Sequence, residues 1–252
     1  AFKNNNDMKI GILGVGHIGK TLALTLPDSG HKVEVANSRG PETIEQAALV
    51  TGAEPVTAEQ AVKGKDVIIL SIPFNRIPEI KPLLAEVPED VTIIDTSNYY
   101  PSRDNNIPAI DEGQVESLWV SEQLGRPIAK AWNAIGYISF EESGKPAGSS
   151  DRIAIPIAAD RDQDRKITMQ LVDETGFDAF DAGSLADSWR QQPGSPVYCT
   201  DLSLHEIEEL IDTAEKERLP KRRDLAVAAV AERADGEMSS VDNKFLVGLN
   251  RV

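Results

Sequence analysis

Lys9-Ile-Gly-Ile-Leu-Gly-Val-Gly-His-Ile-Gly19 joins an apolar run to a turn built on three spaced glycines. Met8 to Leu13 reads as a strand. A helix from about Ile18 to Ser29 follows, with Leu22, Ala23 and Leu26 on one face and Gly30 at its end. At such a strand-to-helix junction each glycine has a physical reason. Gly14 permits the tight turn, Gly16 lets a ligand approach the backbone, and Gly19 lets the helix lie against the strand. The N–H groups and positive dipole end of the helix favour an anion. Gly14, Val15, Gly16, His17, Ile18 and Gly19 are therefore the expected cradle for the pyrophosphate of a dinucleotide.

Outward from this junction, apolar runs alternate with helix-like stretches, the pattern of a parallel sheet with crossover helices. Lys32 to Ala36, Asp66 to Ser71 and Val91 to Asp95 read as strands, followed by Pro127 to Trp132, Arg152 to Ala159 and Phe177 to Asp181. The predicted helices run from Pro41 to Gly52, from a capping box at Thr57-Ala-Glu-Gln60, and from a cap at Asp160-Arg-Asp-Gln163 to Thr175. After about Gly183 the character changes. A Pro/Gly loop spans Gln191 to Pro196, Ser203-Leu-His-Glu206 is a second capping box, and another helix follows Pro220. Leu225 to Ala231 is apolar around its whole circumference, so burial is expected there, in the core or against a second copy in a homodimer. The last 20 residues give little signal. The expected class is α/β, a Rossmann-type doubly wound and mainly parallel sheet with a mostly helical C-terminal extension. Its expected divisions are a disordered tail at 1–7, a dinucleotide-binding body at 8–183 and the extension at 184–252.

The chain has 252 residues, 40% hydrophobic and 27% charged, ordinary values for a globular protein. With 26 Lys and Arg against 41 Asp and Glu, its formal charge is −15, which argues against nucleic acid or an anionic membrane as partner. No apolar run approaches the roughly 20 residues of a membrane span. The start lacks the apolar core of a secretory signal, and a cytoplasmic protein is expected. Cys199 is the single cysteine, and His17, His31 and His205 are scattered, so neither a disulfide nor a metal site is expected.

The end of the second strand bears on the choice of dinucleotide. A carboxylate there would accept bonds from free ribose hydroxyls, as NAD sites require. This chain has Asn37-Ser38-Arg39, and a guanidinium beside a hydroxyl suits a 2′-phosphate, so NADP(H) is expected with Arg39 as its clamp. Glu34 lies inside the strand, three residues early. Ligands of doubly wound sheets sit at the carboxyl ends of the strands. That places Ser71, Ile72 and Pro73, then Asn98, then Asn133 and Ala134 beside the nicotinamide, with Trp132, Asn133 and Ile135 towards the hydride acceptor. No Ser-His-Asp set, carboxylate pair or Tyr-x-x-x-Lys helix offers acid–base chemistry, although Tyr99-Tyr100 is suggestive. No side chain is assigned proton transfer. Hydride passage to a flavin-like ring needs alignment and exclusion of water more than an acid.

Five stretches in this order resemble the coenzyme F-420-dependent NADP oxidoreductase family: Lys9 to Gly19, Ala36-Asn-Ser-Arg39, Asp95-Thr-Ser-Asn98, Lys130-Ala-Trp-Asn-Ala-Ile135 and Asp181-Ala-Gly-Ser-Leu185. They are equally similar to the cytoplasmic NADPH-oxidising domain of the STEAP metalloreductases. The resemblance covers roughly Met8 to Ser188. It implies a reductase that passes a hydride from NADPH to F-420, FMN or FAD, with the acceptor ring stacked near Ser71 to Pro73, Asn98 and Asn133 to Ile135. Two other readings stay open: reduction of a small imine or carbonyl, and an NADPH sensor whose C-terminal helices engage a partner.

Overall fold

The computed structural model of the chain describes residues 7–252, so the tail expected at 1–7 lies, Asp7 apart, outside the described residues. Strand β1 (Lys9–Leu13) and helix α1 (His17–Thr25) flank the glycine turn, and a 3-10 turn at Leu26–Ser29 ends at Gly30, φ +94°. Next come β2 (Lys32–Ala36), the two-residue β3 (Glu54–Pro55), α2 (Ala58–Val62), β4 (Val67–Leu70) and β5 (Thr92–Asp95). Then follow α3 (Glu116–Leu124), β6 (Ala129–Lys130), α4 (Tyr137–Glu142), β7 (Ala154–Ala159), α5 (Asp162–Glu174) and β8 (Asp178–Asp181). Beyond β8 the described residues hold no strand. Helices α6 (Leu204–Leu210), α7 (Leu219–Ala234) and α8 (Asn243–Asn250) complete the chain.

The sheet runs β3-β2-β1-β4-β5-β6-β7-β8, parallel throughout except where β6 meets β7. Every residue of β4 and β5 is buried, because helices and turns cover both faces of the sheet. Val67 and Ile69 face the layer holding Leu22 of α1 and Leu26 of the turn after it, while Ile68 and Leu70 face Phe74, Trp119 and Val120 on the other side. Gly11 sets the approach of α2, since a Cβ there would lie 1.7 Å from the Ala61 carbonyl oxygen. The chain turns from β1 to β2 on one side and crosses to β4 on the other. The crevice therefore opens at the carboxyl ends of β1 and β4.

Several local expectations need correction. The helix expected from Pro41 to Gly52 is instead two short 3-10 turns, Pro41–Thr43 and Gln46–Ala48, with Ile44 extended between them. Asn37 Nδ2 donates to Thr43 Oγ1 (2.7 Å), which donates to the Gly40 carbonyl (2.7 Å), locking the loop open. Ile44 and Ala48 still bury beside α1, so the helical spacing of apolar residues reflects tertiary anchoring. Helix α5 forms, but Asp160 does not cap it; its Oδ1 accepts from the Leu185 N–H (2.9 Å) and ties the loop after β8. Both capping boxes, Thr57/Gln60 and Ser203/Glu206, are present. Leu225 to Ala231 lie in α7 half-buried or exposed, Leu225 at 60%. The final helix α8 escaped the sequence reading.

Candidate functional site

At the glycine turn the three positions divide their duties. Gly14 has φ +106° and a Cβ there would fall 2.0 Å from the Ser71 carbonyl oxygen; a Cβ on Gly19 would fall 2.2 Å from the Gly14 carbonyl oxygen. Both are required by how β1, α1 and β4 pack. Gly16 differs. Its φ is −72° and a Cβ there would meet nothing within 4 Å, so the fold leaves the space above it open. Gly16 is also the N-cap of α1, with no side-chain cap and no acid in the first turn. The uncapped amides thus face an open cradle, the arrangement an anionic group fits.

Two clefts meet at this cradle, sharing Gly16 and Ser71, Ile72 and Pro73. The first, about 400 Å³, runs along Gly14 and Val15 to Asn37, Ser38 and Arg39 at the end of β2. The Asn37 side chain builds the loop: Oδ1 accepts from the N–H groups of Arg39 (3.0 Å) and Gly40 (2.9 Å). Ser38 and Arg39 are thereby held exposed at the cleft. Of the nearby acids, Glu34 pairs with Lys65 (2.6 Å) and Glu45 with Lys20 (3.8 Å), while the Glu42 carboxylate lies against Gly40. Arg76 lines the opposite rim, held by Glu79 at 3.1 Å. It was not foreseen, because Phe74–Ile80 is a 3-10 stretch without a readable periodicity.

The second cleft, about 570 Å³, passes His17, Ile18 and Pro73 and is bordered by Asn98, Asn133 and Ile135. Here the polar side chains are largely structural. Asn98 Nδ2 donates to the Asn133 carbonyl (2.8 Å), Asn133 Nδ2 donates to Asn98 Oδ1 (3.1 Å), and Gln191 Nε2 donates to Asn133 Oδ1 (3.0 Å). Beneath them Lys130 Nζ pairs with Asp95 Oδ2 at 2.8 Å with both residues buried, and Asp95 Oδ1 accepts from the N–H (3.0 Å) and hydroxyl (2.7 Å) of Ser97. This buried pair fixes the strand ends that carry Asn98 and Asn133. Two sequence expectations shift. Trp132 borders the cleft but is 1% exposed, its ring packed towards Phe140 in the core, so it offers no free stacking face. Ala134 is buried outside the cleft lining, its carbonyl accepting from the Cys199 N–H (2.8 Å).

The sequence reading missed the far wall of this cleft. Ala226, Val227 and Val230 of α7 and Leu246 and Leu249 of α8 supply an apolar side. At the polar end stand Tyr100, Arg103 and Tyr198, with the two tyrosine hydroxyl oxygens 2.6 Å apart. Arg103 is held by the buried Asp104 through Nε (3.0 Å) and Nη2 (2.8 Å). Among the described residues no group of His, Cys, Asp and Glu is placed to hold a metal ion, and no helix is long and apolar enough to cross a membrane.

The family model described as NADP oxidoreductase, coenzyme F-420-dependent, matches residues 9–99, the span from β1 through the loop after β5. Over this span the chain is similar to the coenzyme F-420-dependent NADP oxidoreductase family. The Escherichia coli protein YjhV is 50% identical over 56 residues, 22% of this chain and 41% of that protein. The NADP-dependent ketol-acid reductoisomerase of Sulfolobus acidocaldarius is 35% identical over 85 residues, 32% of this chain and 25% of that enzyme. The chain thus spans less than half the length of these relatives. Among solved structures, a hypothetical protein of Sinorhizobium meliloti superposes with a TM-score of 0.67 at 23% identity, covering 78% of this chain and 95% of that one. A candidate F-420-dependent NADP-reductase of Arthrobacter gives 0.55 at 18% identity, over 72% and 87%. The reductive aminase of Aspergillus terreus, solved with NADPH and ethyl-5-oxohexanoate, gives 0.52 at 14% identity over 97% and 71%. At these identities the likeness is one of fold.

Proposed function

We propose that the chain is an NADP(H)-dependent oxidoreductase that binds the dinucleotide along the first cleft and exchanges a hydride with an acceptor in the second. The observation that carries this reading is the open cradle at Gly16, where the uncapped amides of α1 face the junction of both clefts. Those amides receive the pyrophosphate, and Ser38 and Arg39 receive the 2′-phosphate. Ser71, Ile72 and Pro73 then direct the nicotinamide, which supplies the hydride, into the second cleft. The apolar wall of α7 and α8 keeps water from the reacting atoms.

The acceptor favoured here is a flavin or deazaflavin ring, F-420, FMN or FAD, and the similarity over residues 9–99 to a coenzyme F-420-dependent family supports the deazaflavin. A small imine or carbonyl is the second reading, favoured by the tyrosine hydroxyls at the end of the cleft. Spectrophotometric assay of NADPH and NADH oxidation against F-420, FMN, FAD, ferric chelates and simple imines separates them. Oxidation of NADPH in preference to NADH with a flavin-type acceptor is expected. Turnover with imines or carbonyls alone selects the second reading. Tight binding without turnover across the panel makes the protein an NADPH sensor and overturns the oxidoreductase reading.

A further inference from the structure

We propose that the Tyr100–Tyr198 hydroxyl pair is the proton-delivering device of the second cleft, serving the heteroatom of the acceptor that gains negative charge when the hydride arrives. The inference rests on the oxidoreductase reading above.

Neighbouring tyrosines show why this pair is singled out. The Tyr99 hydroxyl is spent on structure: it donates to Asp111 Oδ1 (2.8 Å), accepts from the Ile107 N–H (3.0 Å), and its residue is fully buried. Tyr100, the next residue, turns the other way into the cleft and meets Tyr198 at 2.6 Å. Two hydroxyls bring two protons, and only one can lie between the two oxygens. Among the described residues neither hydroxyl donates to a carboxylate or a carbonyl; the remaining neighbour is the thiol of Cys199, a weak acceptor. One O–H donor is therefore left for a ligand in a cavity that also contains the cradle glycine and Ser71 to Pro73.

The surroundings suit a neutral donor. Burial pushes both hydroxyls well above the ordinary tyrosine range, and burial pushes the Cys199 thiol up to about 12, so all three keep their protons near neutrality. The Arg103 guanidinium stands 5.5 Å from the Tyr100 ring centroid, and the buried Glu116 opposes it. A neutral hydroxyl can hydrogen-bond the acceptor atom on which charge develops, and that bond strengthens as the hydride arrives.

Hydride from the dihydronicotinamide forms the new bond at one end of the acceptor's double bond or conjugated system, and NADPH becomes NADP+. The displaced electron pair settles on the oxygen or nitrogen at the other end, which takes the tyrosine proton. The acceptor is reduced by two electrons, and the phenolate left behind regains its proton from solvent through its partner hydroxyl.

The experiment compares wild type, Tyr100→Phe and Tyr198→Phe in NADPH oxidation with each acceptor of the panel, in H2O and D2O. NADPH affinity and melting temperature are measured on the same proteins. The expected result is a fall of about a hundredfold in kcat for Tyr100→Phe. Wild-type turnover should slow in D2O, while NADPH affinity and melting temperature stay unchanged. Alkaline absorbance titration of the cofactor-free protein should show both tyrosines protonated at the assay pH, and a tyrosinate signal there overturns the proposal. Wild-type turnover retained in both variants overturns it while leaving the oxidoreductase reading intact. NADPH binding without turnover by wild type for every acceptor overturns that reading and the proposal with it.

Discussion

Gly16 and Gly19 are chemically identical and three residues apart, yet the structure asks opposite things of them. A methyl group on Gly19 collides with the Gly14 carbonyl at 2.2 Å, so Gly19→Ala forces α1 off β1. A methyl group on Gly16 enters open space. Gly16→Ala should therefore leave the melting temperature near wild type while raising the NADPH Kd by tenfold or more, about 1.4 kcal/mol or above. Gly19→Ala should lower the melting temperature itself. Thermal melts with and without NADPH separate the two, and a Gly16→Ala protein that binds NADPH normally would show that the open space serves no ligand. The motif was legible in the sequence because glycine spacing encodes backbone geometry. Which glycine the packing requires and which it leaves open was not, since that depends on Ser71, just past β4 and some 50 residues away in sequence.

Among elements, α3 carries the clearest electrostatic cost. Its first residue, Glu116, is 3% exposed and accepts from the Tyr99 N–H at 2.7 Å. Desolvation by burial outweighs the attraction of Lys130 and raises its carboxyl to about 7. Between the ordinary carboxylate range and that value, the folded chain keeps a proton that the unfolded chain releases. The cost to stability therefore grows as pH rises through this window and is complete above it. Glu116→Gln should remove the dependence, gaining on wild type by about 3 kcal/mol between about pH 5 and about pH 8 in urea unfolding. Identical pH profiles for the two proteins would contradict this.

Elements were legible where local signals and burial agree. The continuous apolar runs gave β4 and β5, and the capping boxes gave the starts of α2 and α6. The stretch 41–52 failed because Ile44 and Ala48 mimic helical spacing while the Asn37–Thr43–Gly40 bonds hold the loop extended. Helix α8 is only eight residues long and carries Gly248 in its last turn, so it is easily overlooked despite the apolar Phe245, Leu246, Val247 and Leu249.

For the molecule as a whole, the C-terminal extension has a position the sequence could not supply. Helices α7 and α8 close the side of the second cleft opposite the sheet, bringing residues 226–250 to a site founded on residues 14–19. The apolar character of Leu225 to Ala231 was legible, but Ala226, Val227 and Val230 spend it on the cleft wall. Filling that wall tests the division of labour between the clefts. Ala226→Trp should leave NADPH affinity within about twofold, below 0.5 kcal/mol, and cut turnover at least tenfold by displacing the acceptor. Equal losses of binding and turnover would mean that the clefts are not separate. Under the proposed function the charge of −15 also gains meaning at this scale, because an acidic chain that binds a polyanion must gather its donors locally, and the α1 amides with Ser38 and Arg39 are the donors proposed.

Preference for NADPH over NADH is read directly by calorimetric titration of the full chain with each dinucleotide, repeated on Arg39→Ala. NADPH should bind at least tenfold more tightly than NADH, about 1.4 kcal/mol, and Arg39→Ala should abolish most of that difference while sparing NADH affinity. Equal affinity of wild type for the two dinucleotides, or binding of neither, would contradict this.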